Sequence, residues 1–350
     1  MSEGREAKAA FKKATTWGTA VACGANDGVM VTNVGLTRTF DQLIDESVGQ
    51  SFKKNQDTGY QTVEGSLEGY LRYDGLDVLI AMVMGSTAAP SQKGTGSAAY
   101  SNYFAMASDT DGLFGTLAAY MGFSTHEYPG AKVTGMTISG ESGQPLTISF
   151  DMVADTKNTN TSTGTNNNTT IGTVTFPETQ NRALFRHGKF WMNDATGAAL
   201  DASMGVYPGK FTLAFTRNMD SNREANAELL DKTAEPTGNG FPDATLTLEF
   251  PEYTSGHDTF IGDLGNGTHK KLQMSFVGGV IDASYYREFS VYLPNLVITN
   301  ADPAMSGAGK IPASLQMAAL GTATERTGMT GIYEPFKINV LNTRTTSPLA

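Results

Sequence analysis

Residues 65–86 read GSLEGYLRYDGLDVLIAMVMGS, and within this stretch the pattern changes from strand to helix. In the run YQTVEGSLEGYLRY (60–73), Val63, Leu67 and Leu71 share one parity, while Thr62, Glu64, Ser66, Glu68 and Arg72 share the other. That alternation predicts a half-buried strand with one apolar face and one polar, acidic face. Gly65 and Gly69 fall on the apolar side, where a missing side chain signals a bulge or a close backbone approach. Asp74 is placed to accept hydrogen bonds from first-turn amides of a helix. Leu76, Leu79, Ile80 and Val83 then share a helical face, and Gly85 suits the left-handed position that ends it.

The neighbouring segments extend the β reading. Residues 34–44 (VGLTRTFDQLI) form a strand-like run, separated from the first by the polar stretch 45–59. KVTGMTIS (132–139) and PLTISFDMV (145–153), joined by GESGQ, predict a hairpin with Leu146, Ile148, Phe150 and Met152 on one face. Residues 156–170 (TKNTNTSTGTNNNTT) offer no apolar surface to offset the entropy of ordering, so an exposed loop or linker is expected there. The second half repeats the first at low identity. DATLTLEFPEYTSGHDTFIGDLG (243–265) follows the order of 65–85, residues 292–322 follow 128–156, and KFTLAFTRNMD (210–220) follows 34–45. Three matches in the same order predict a duplicated β domain with one helix per copy: residues 1–155, a Thr/Asn-rich connection over 156–175, and residues 176–350.

Composition narrows the function. A chain of 350 residues with 39 glycines and 17% charged residues suits a turn-rich, mainly β protein of one large or two ordinary domains. Its 35 acids against 25 bases give a formal charge of −10, which argues against gripping a phosphate backbone. Cys23 is the single cysteine, so neither a disulfide framework within the chain nor a multi-cysteine metal site can form, and folding in a reducing cytoplasm is expected. No apolar run has the length of a signal peptide core or a membrane helix, so neither that export route nor a membrane partner is expected.

No catalytic constellation assembles, and no cofactor is expected. His126, His187, His257 and His269 lack the spacing of a metal pair. GSLEG and GESG miss the nucleophile elbow, and GDLGNGTHKK (262–271) lacks the order of a phosphate loop and reads as a hairpin or helix-end loop. SDTDG (108–112) lacks the later acid of a calcium loop. Asn160 and Asn168 sit in glycosylation-type triplets that reflect the Thr/Asn tract. The lysine doublets at 12, 53 and 270 read as solvated surface, and Trp17 and Trp191 as core or interface anchors. The acidic strand face has a geometric use instead. If several subunits close their sheets into one barrel, Thr62, Glu64, Ser66, Glu68 and Arg72 line a wide negative channel that repels DNA and lets it slide.

The segments TTWGTAVACGANDGVMVTNVGL, GSLEGYLRYDGLDVLIAMVMG, DGLFGTLA and KVTGMTISGESGQPLTISFDMVAD closely resemble the tail tube proteins of tailed bacteriophages, over most of residues 10–155. The resemblance implies a mainly β fold, a tail-tube-type β-sandwich or barrel with a flanking α-helix, here duplicated in tandem. It implies no enzymatic activity, location in the virion tail after synthesis in the host bacterial cytoplasm, and stacked rings. With a duplicated domain, trimeric pseudo-hexameric rings are expected, a hexamer being the alternative. The partners implied are other copies of the chain, the tape measure, tail terminator and baseplate or tip proteins, and viral DNA passing without specific binding. Carried onto this chain, 34–44 and 60–73 become the arms of a lumen hairpin. The loop 45–59, with Ser47, Gln50, Phe52, Lys53, Lys54 and Asn55, becomes the contact to the next ring. In the second copy 210–217 and 243–250 are the arms, and Thr245, Thr247 and Glu249 face the lumen. Two other classes remain beside this one. The Gly/Thr/Asn-rich loops and 13 tyrosines suit a carbohydrate- or cell-surface-binding β-sandwich of the virion, and Asp74 with Glu141 would be the acids of a hydrolase.

Overall fold

A computed structural model of the chain describes residues 4–49, 51–176, 181–221, 234–282, 284–303, 305 and 308–349. The principal strands are β1 (Lys8–Lys13), β2 (Gly28–Val29), β3 (Thr37–Ile44), β4 (Gln56–Tyr70), β5 (Tyr100–Met106), β6 (Gly115–Tyr120), β7 (Thr125–Glu141) and β8 (Thr147–Ala154). They continue with β9 (Gly188–Asp194), β10 (Lys210–Thr216), β11 (Asp243–Phe250), β12 (Lys270–Asp282), β13 (Tyr285–Asn300), β14 (Ala313–Ala319) and β15 (Lys337–Asn342). The helices are α1 (Asp77–Met84), α2 (Asn168–Gly172) and α3 (Asp258–Asn266).

One antiparallel sheet runs through the whole molecule in the order β3-β4-β8-β7-β10-β11-β14-β13. Its first four strands are two hairpins whose second arms pair with each other, and the last four repeat that arrangement. The three sequence matches occupy corresponding places: β3 with β10, β4 and α1 with β11 and α3, β7–β8 with β13–β14. Followed strand by strand, the described pairings never return to their start, so the sheet is open at β3 and at the C-terminal half of β13.

The N-terminal halves of β7 and β13 leave this inner sheet and enter outer ones. β7 pairs there with β6, which pairs with β1 and through it β2, while β13 pairs with β12, which pairs with β9. The register shifts at Pro129–Gly130 in β7 and again beside Pro294 in β13. A proline has no N–H to give a ladder and so sits where a strand changes partners. The Tyr-Pro opening shared by the two sequence segments is therefore a structural joint. Between inner and outer layers lies the core, including Leu67, Met136, Phe150, Leu213, Leu246 and Met317.

Helix α1 differs from the expected one-faced helix. Asp77 and every residue from Leu79 to Met84 are buried, because β5 covers the side that solvent would otherwise meet. β5 follows α1 and has no counterpart after α3; it pairs with β15, tying the two halves together. Helix α3 lacks this cover and has no buried residue. A helix apolar all round is one enclosed all round, and DVLIAMVM meets that condition. Gly85 takes the left-handed position as expected, with φ of 89°. Asp74 does not cap the helix: its Oδ2 accepts from Arg287 Nε and Asn181 Nδ2, both at 3.2 Å.

The buried acid of this region is Asp77, whose Oδ1 accepts from Asn342 Nδ2 at 3.2 Å while Arg344 lies 3.9 Å from Oδ2. Burial pushes its carboxyl up to about 6 from 3.8. The folded state therefore binds a proton that the unfolded chain releases. This contribution to stability is full below about pH 4 and is lost as pH rises through about 6. Replacing Asp77 with Asn should remove that dependence. Urea titrations should show the variant gaining on the parent by about 2 kcal/mol between pH 4 and pH 7; parallel curves would contradict it.

Two further expectations change. The Thr/Asn tract is not simply exposed: α2 packs on β1 and β6, and Ile171 is fully buried. Asn166, also buried, donates to Val21 O and Glu127 Oε1 and accepts from Cys23 N. Amide hydrogen bonds supply here the ordering that apolar contacts supply elsewhere. The doublet at 270 is not solvated. Lys270 lies between Asp194 at 2.6 Å and Asp263 at 2.5 Å, and Lys271 donates to Gly197 O and Thr327 O, both at 2.9 Å.

Candidate functional site

The inner sheet separates two chemistries row by row. Across it, Gly69, Ile148, Ile138, Leu213, Leu246, Met317 and Ile298 stand in one register. All point into the core and are buried. The rows on either side face outward. One carries Glu68, Ser149, Thr137, Ala214, Thr245 and Ala318; the other carries Tyr70, Thr147, Ser139, Thr212, Thr247 and Gln316. Toward one rim come Ser66, Asp151, Gly135, Thr216 and Asp243, and toward the other Glu141, Lys210, Glu249 and Ser314.

The outward face is thus a wall of hydroxyls with scattered carboxylates. Its acids include Glu64, Glu68, Glu141, Asp151, Asp243 and Glu249. Lys210 is the basic residue in these rows, and it is paired with Glu249 at 3.0 Å. Some hydroxyls pair locally: Ser139 and Thr147 lie 2.7 Å apart, and Ser66 Oγ donates to Glu68 Oε1 at 3.0 Å. The aromatic ring in these rows, Tyr70, lies under the Arg182 guanidinium at 5.1 Å, and the acidic charge of the face repels phosphates. Among the described residues no group of three or more His, Cys, Asp or Glu could hold a metal ion, and no helix is long and apolar enough to cross a membrane.

A family model described as phage tail tube protein matches residues 4–319, most of the chain. The chain belongs to that family. No individual curated protein matches it. It is a structural protein of the bacteriophage virion, and the family places it in the tail, where tube proteins self-assemble with other tail components.

In this tail tube protein the residues expected on the strand face divide clearly. Glu64, Glu68 and Thr245 are exposed, while Thr62, Ser66, Thr247 and Glu249 are half-buried among outward neighbours. Arg72 shares their parity but lies beyond the end of β4, half-buried at an isolated bridge to Arg182. Burial and that second guanidinium hold its pKa below the usual arginine value. Gly65 makes the close approach its position signals, since a Cβ there would stand 2.3 Å from Gly35 O. The sequence reading did not place Thr137, Ser139, Thr147, Ser149, Asp151, Thr212, Ser314 and Gln316 on this face. Their signal was available: in β8, Thr147, Ser149 and Asp151 alternate with Ile148, Phe150 and Met152, already assigned to one apolar face.

The loop expected over 45–59 is shorter. Pairing of β3 with β4 continues to Ile44 opposite Gln56, so the turn spans 45–55 and residues 56–59 belong to the strand. The hairpin passes the end of β8, whose last partner is Val63, and projects about 20 Å further. Ser47, Phe52, Lys53, Lys54 and Asn55 are exposed there, and Gln50 lies outside the described residues. Lys53 pairs with Glu46, and Ser47 N donates to Asp45 Oδ1 at 2.9 Å. The tip also exposes Val48 completely and Phe52 by 79%.

Proposed function

We propose that this chain is the major tail tube protein, polymerising into stacked rings whose shared lumen conducts the genome into the host. The observation that carries the reading is the junction of β7 with β10 inside the chain. β7 is the last strand of the first four and β10 the first of the second four, and they pair antiparallel from Gly135–Thr216 to Glu141–Lys210. The open edges of the sheet are β13, counterpart of β7, and β3, counterpart of β10. Joining β13 of one copy to β3 of the next repeats between chains the junction already made within one, and it removes the edges that otherwise invite aggregation. Three copies of the eight-stranded sheet then close a barrel with its hydroxyl and acidic face inward. Residues 1–155 and 176–350 act as two tail tube domains, the segment 156–175 being held against the first.

Glu64, Glu68, Asp151 and Glu249 repel phosphates along this lumen, so DNA slides without a preferred stopping point. The tape measure protein occupies the same lumen before ejection, the terminator caps one end, and the baseplate or tip proteins start the other. Electron microscopy of purified protein and virions tests the reading. Tubes with an axial channel are expected, and a monomer that never enters a tail when assembly partners are present would contradict it. Replacing residues 46–54 by a short Gly-Ser turn should leave the thermal transition of the monomer unchanged and abolish tube growth. Tubes of ordinary length from that variant would remove the hairpin from the ring-to-ring contact.

A further inference from the structure

Both long inner hairpins turn at the same rim. β3–β4 turns beyond the Ile44–Gln56 pair, and β10–β11 runs on beyond the Thr216–Asp243 pair. At the opposite rim, where Glu141, Lys210 and Glu249 stand side by side, a cavity of about 720 Å³ opens on the seam between the two halves of the chain. Its apolar part is formed by Phe250, Pro251, Pro312 and Ala313, and its edge carries Glu141, Glu249 and Asp302 against Lys210. The hairpin tip has the complementary chemistry: a bare aromatic ring at Phe52, then Lys53, which would exchange its partner Glu46 for an acid of the cavity, and Lys54.

We propose that this seam cavity is the acceptor for the 45–55 tip of a second copy in the adjacent ring, with Phe52 seated against Phe250 and Pro312 and the two lysines over Glu141 and Asp302. The inference rests on the tube reading and adds the address at which one ring grips the next. Because the cavity needs residues from both halves of one chain, each chain offers one such acceptor, matching its one short tip. A competing cavity of about 470 Å³, lined by Lys8, Val31, Thr32 and Phe176 among others, has no acid among its described lining residues to meet the lysines.

Paired cysteines test this in the assembled tube. Phe52→Cys with Ser142→Cys, at the edge of the seam cavity, should yield disulfide ladders extending beyond one ring on mild oxidation. Phe52→Cys with Thr32→Cys should yield none. Native Cys23 is buried with its thiol pushed up to about 12, and does not compete. As a second readout, Lys53→Glu with Lys54→Glu should lower tube yield at least tenfold, and adding Glu141→Lys with Asp302→Lys should restore it. Tubes that form but crosslink through Thr32, or through neither site, would overturn the acceptor and leave the tube reading standing. Parent protein that never forms tubes would overturn both.

Discussion

Phage carrying Glu64→Lys together with Glu68→Lys should assemble tails and then eject DNA about tenfold or more slowly. Both side chains are exposed on β4, outside the packed rows, so the substitutions leave the core untouched. Glu68 loses contacts that are small, an accepted hydrogen bond from Ser66 at 3.0 Å and one from Asn33 at 3.5 Å. Exposed changes of this kind shift stability by about 0.5 kcal/mol. Their effect on passage is of another order, because every ring repeats them. Lysines opposite a moving phosphate backbone release counterions and bind, and the drag is summed along the tube. Single-particle ejection assays at several salt concentrations separate the cases. The delay should shrink as salt rises, since the interaction is screened. Ejection at the parent rate at low salt would place these glutamates away from the lumen.

Arg217→Ala should destabilise the folded chain by about 1–3 kcal/mol. Arg217 lies at the end of β10 and is 5% exposed, with Nε donating to Val83 O at 2.8 Å and an Nη to Met84 O and Ala107 O, each at 2.9 Å. These are the C-terminal carbonyls of α1 and the residue that follows β5, so one guanidinium joins a strand of the second half to the helix of the first. Burial pushes its pKa down to about 10, which still leaves it charged at neutral pH. Alanine removes this donor from Val83 O and Ala107 O, while Met84 O keeps the Ala107 N–H at 2.7 Å. Lysine keeps the charge and loses the planar fork, and should recover only part of the loss. Urea denaturation of the monomer measures both. A cost under about 1 kcal/mol for alanine would show that water replaces the guanidinium freely.

How much of this was legible in the sequence follows from what determines each feature. The face of β4, the core side of β8 and the stop at Gly85 are set by residues adjacent in the chain, and alternation or a single glycine reveals them. The three internal matches carried the order of the inner sheet because they preserve strand, turn and helix in sequence. Asp74 and Arg217 were not readable, since their partners, Arg287 and the end of α1, come from the other half of the chain. The burial of Lys270 and Lys271, and the fixed position of Asn166, likewise depend on polar contacts distant in sequence. The full wall needed the cross-strand register: Asp151 stands beside Ser66 only because β8 pairs with β4, and no local pattern states that.

The central claim is that one chain supplies two tube domains to a ring, and the ring symmetry of the assembled tube tests it most directly. A cryo-electron microscopy reconstruction should show three chains per ring, eight strands from each facing the lumen, with β13 of one chain paired to β3 of the next. Six chains per ring, or a lumen lined by any face other than that of Glu68, Thr137 and Thr245, would contradict it.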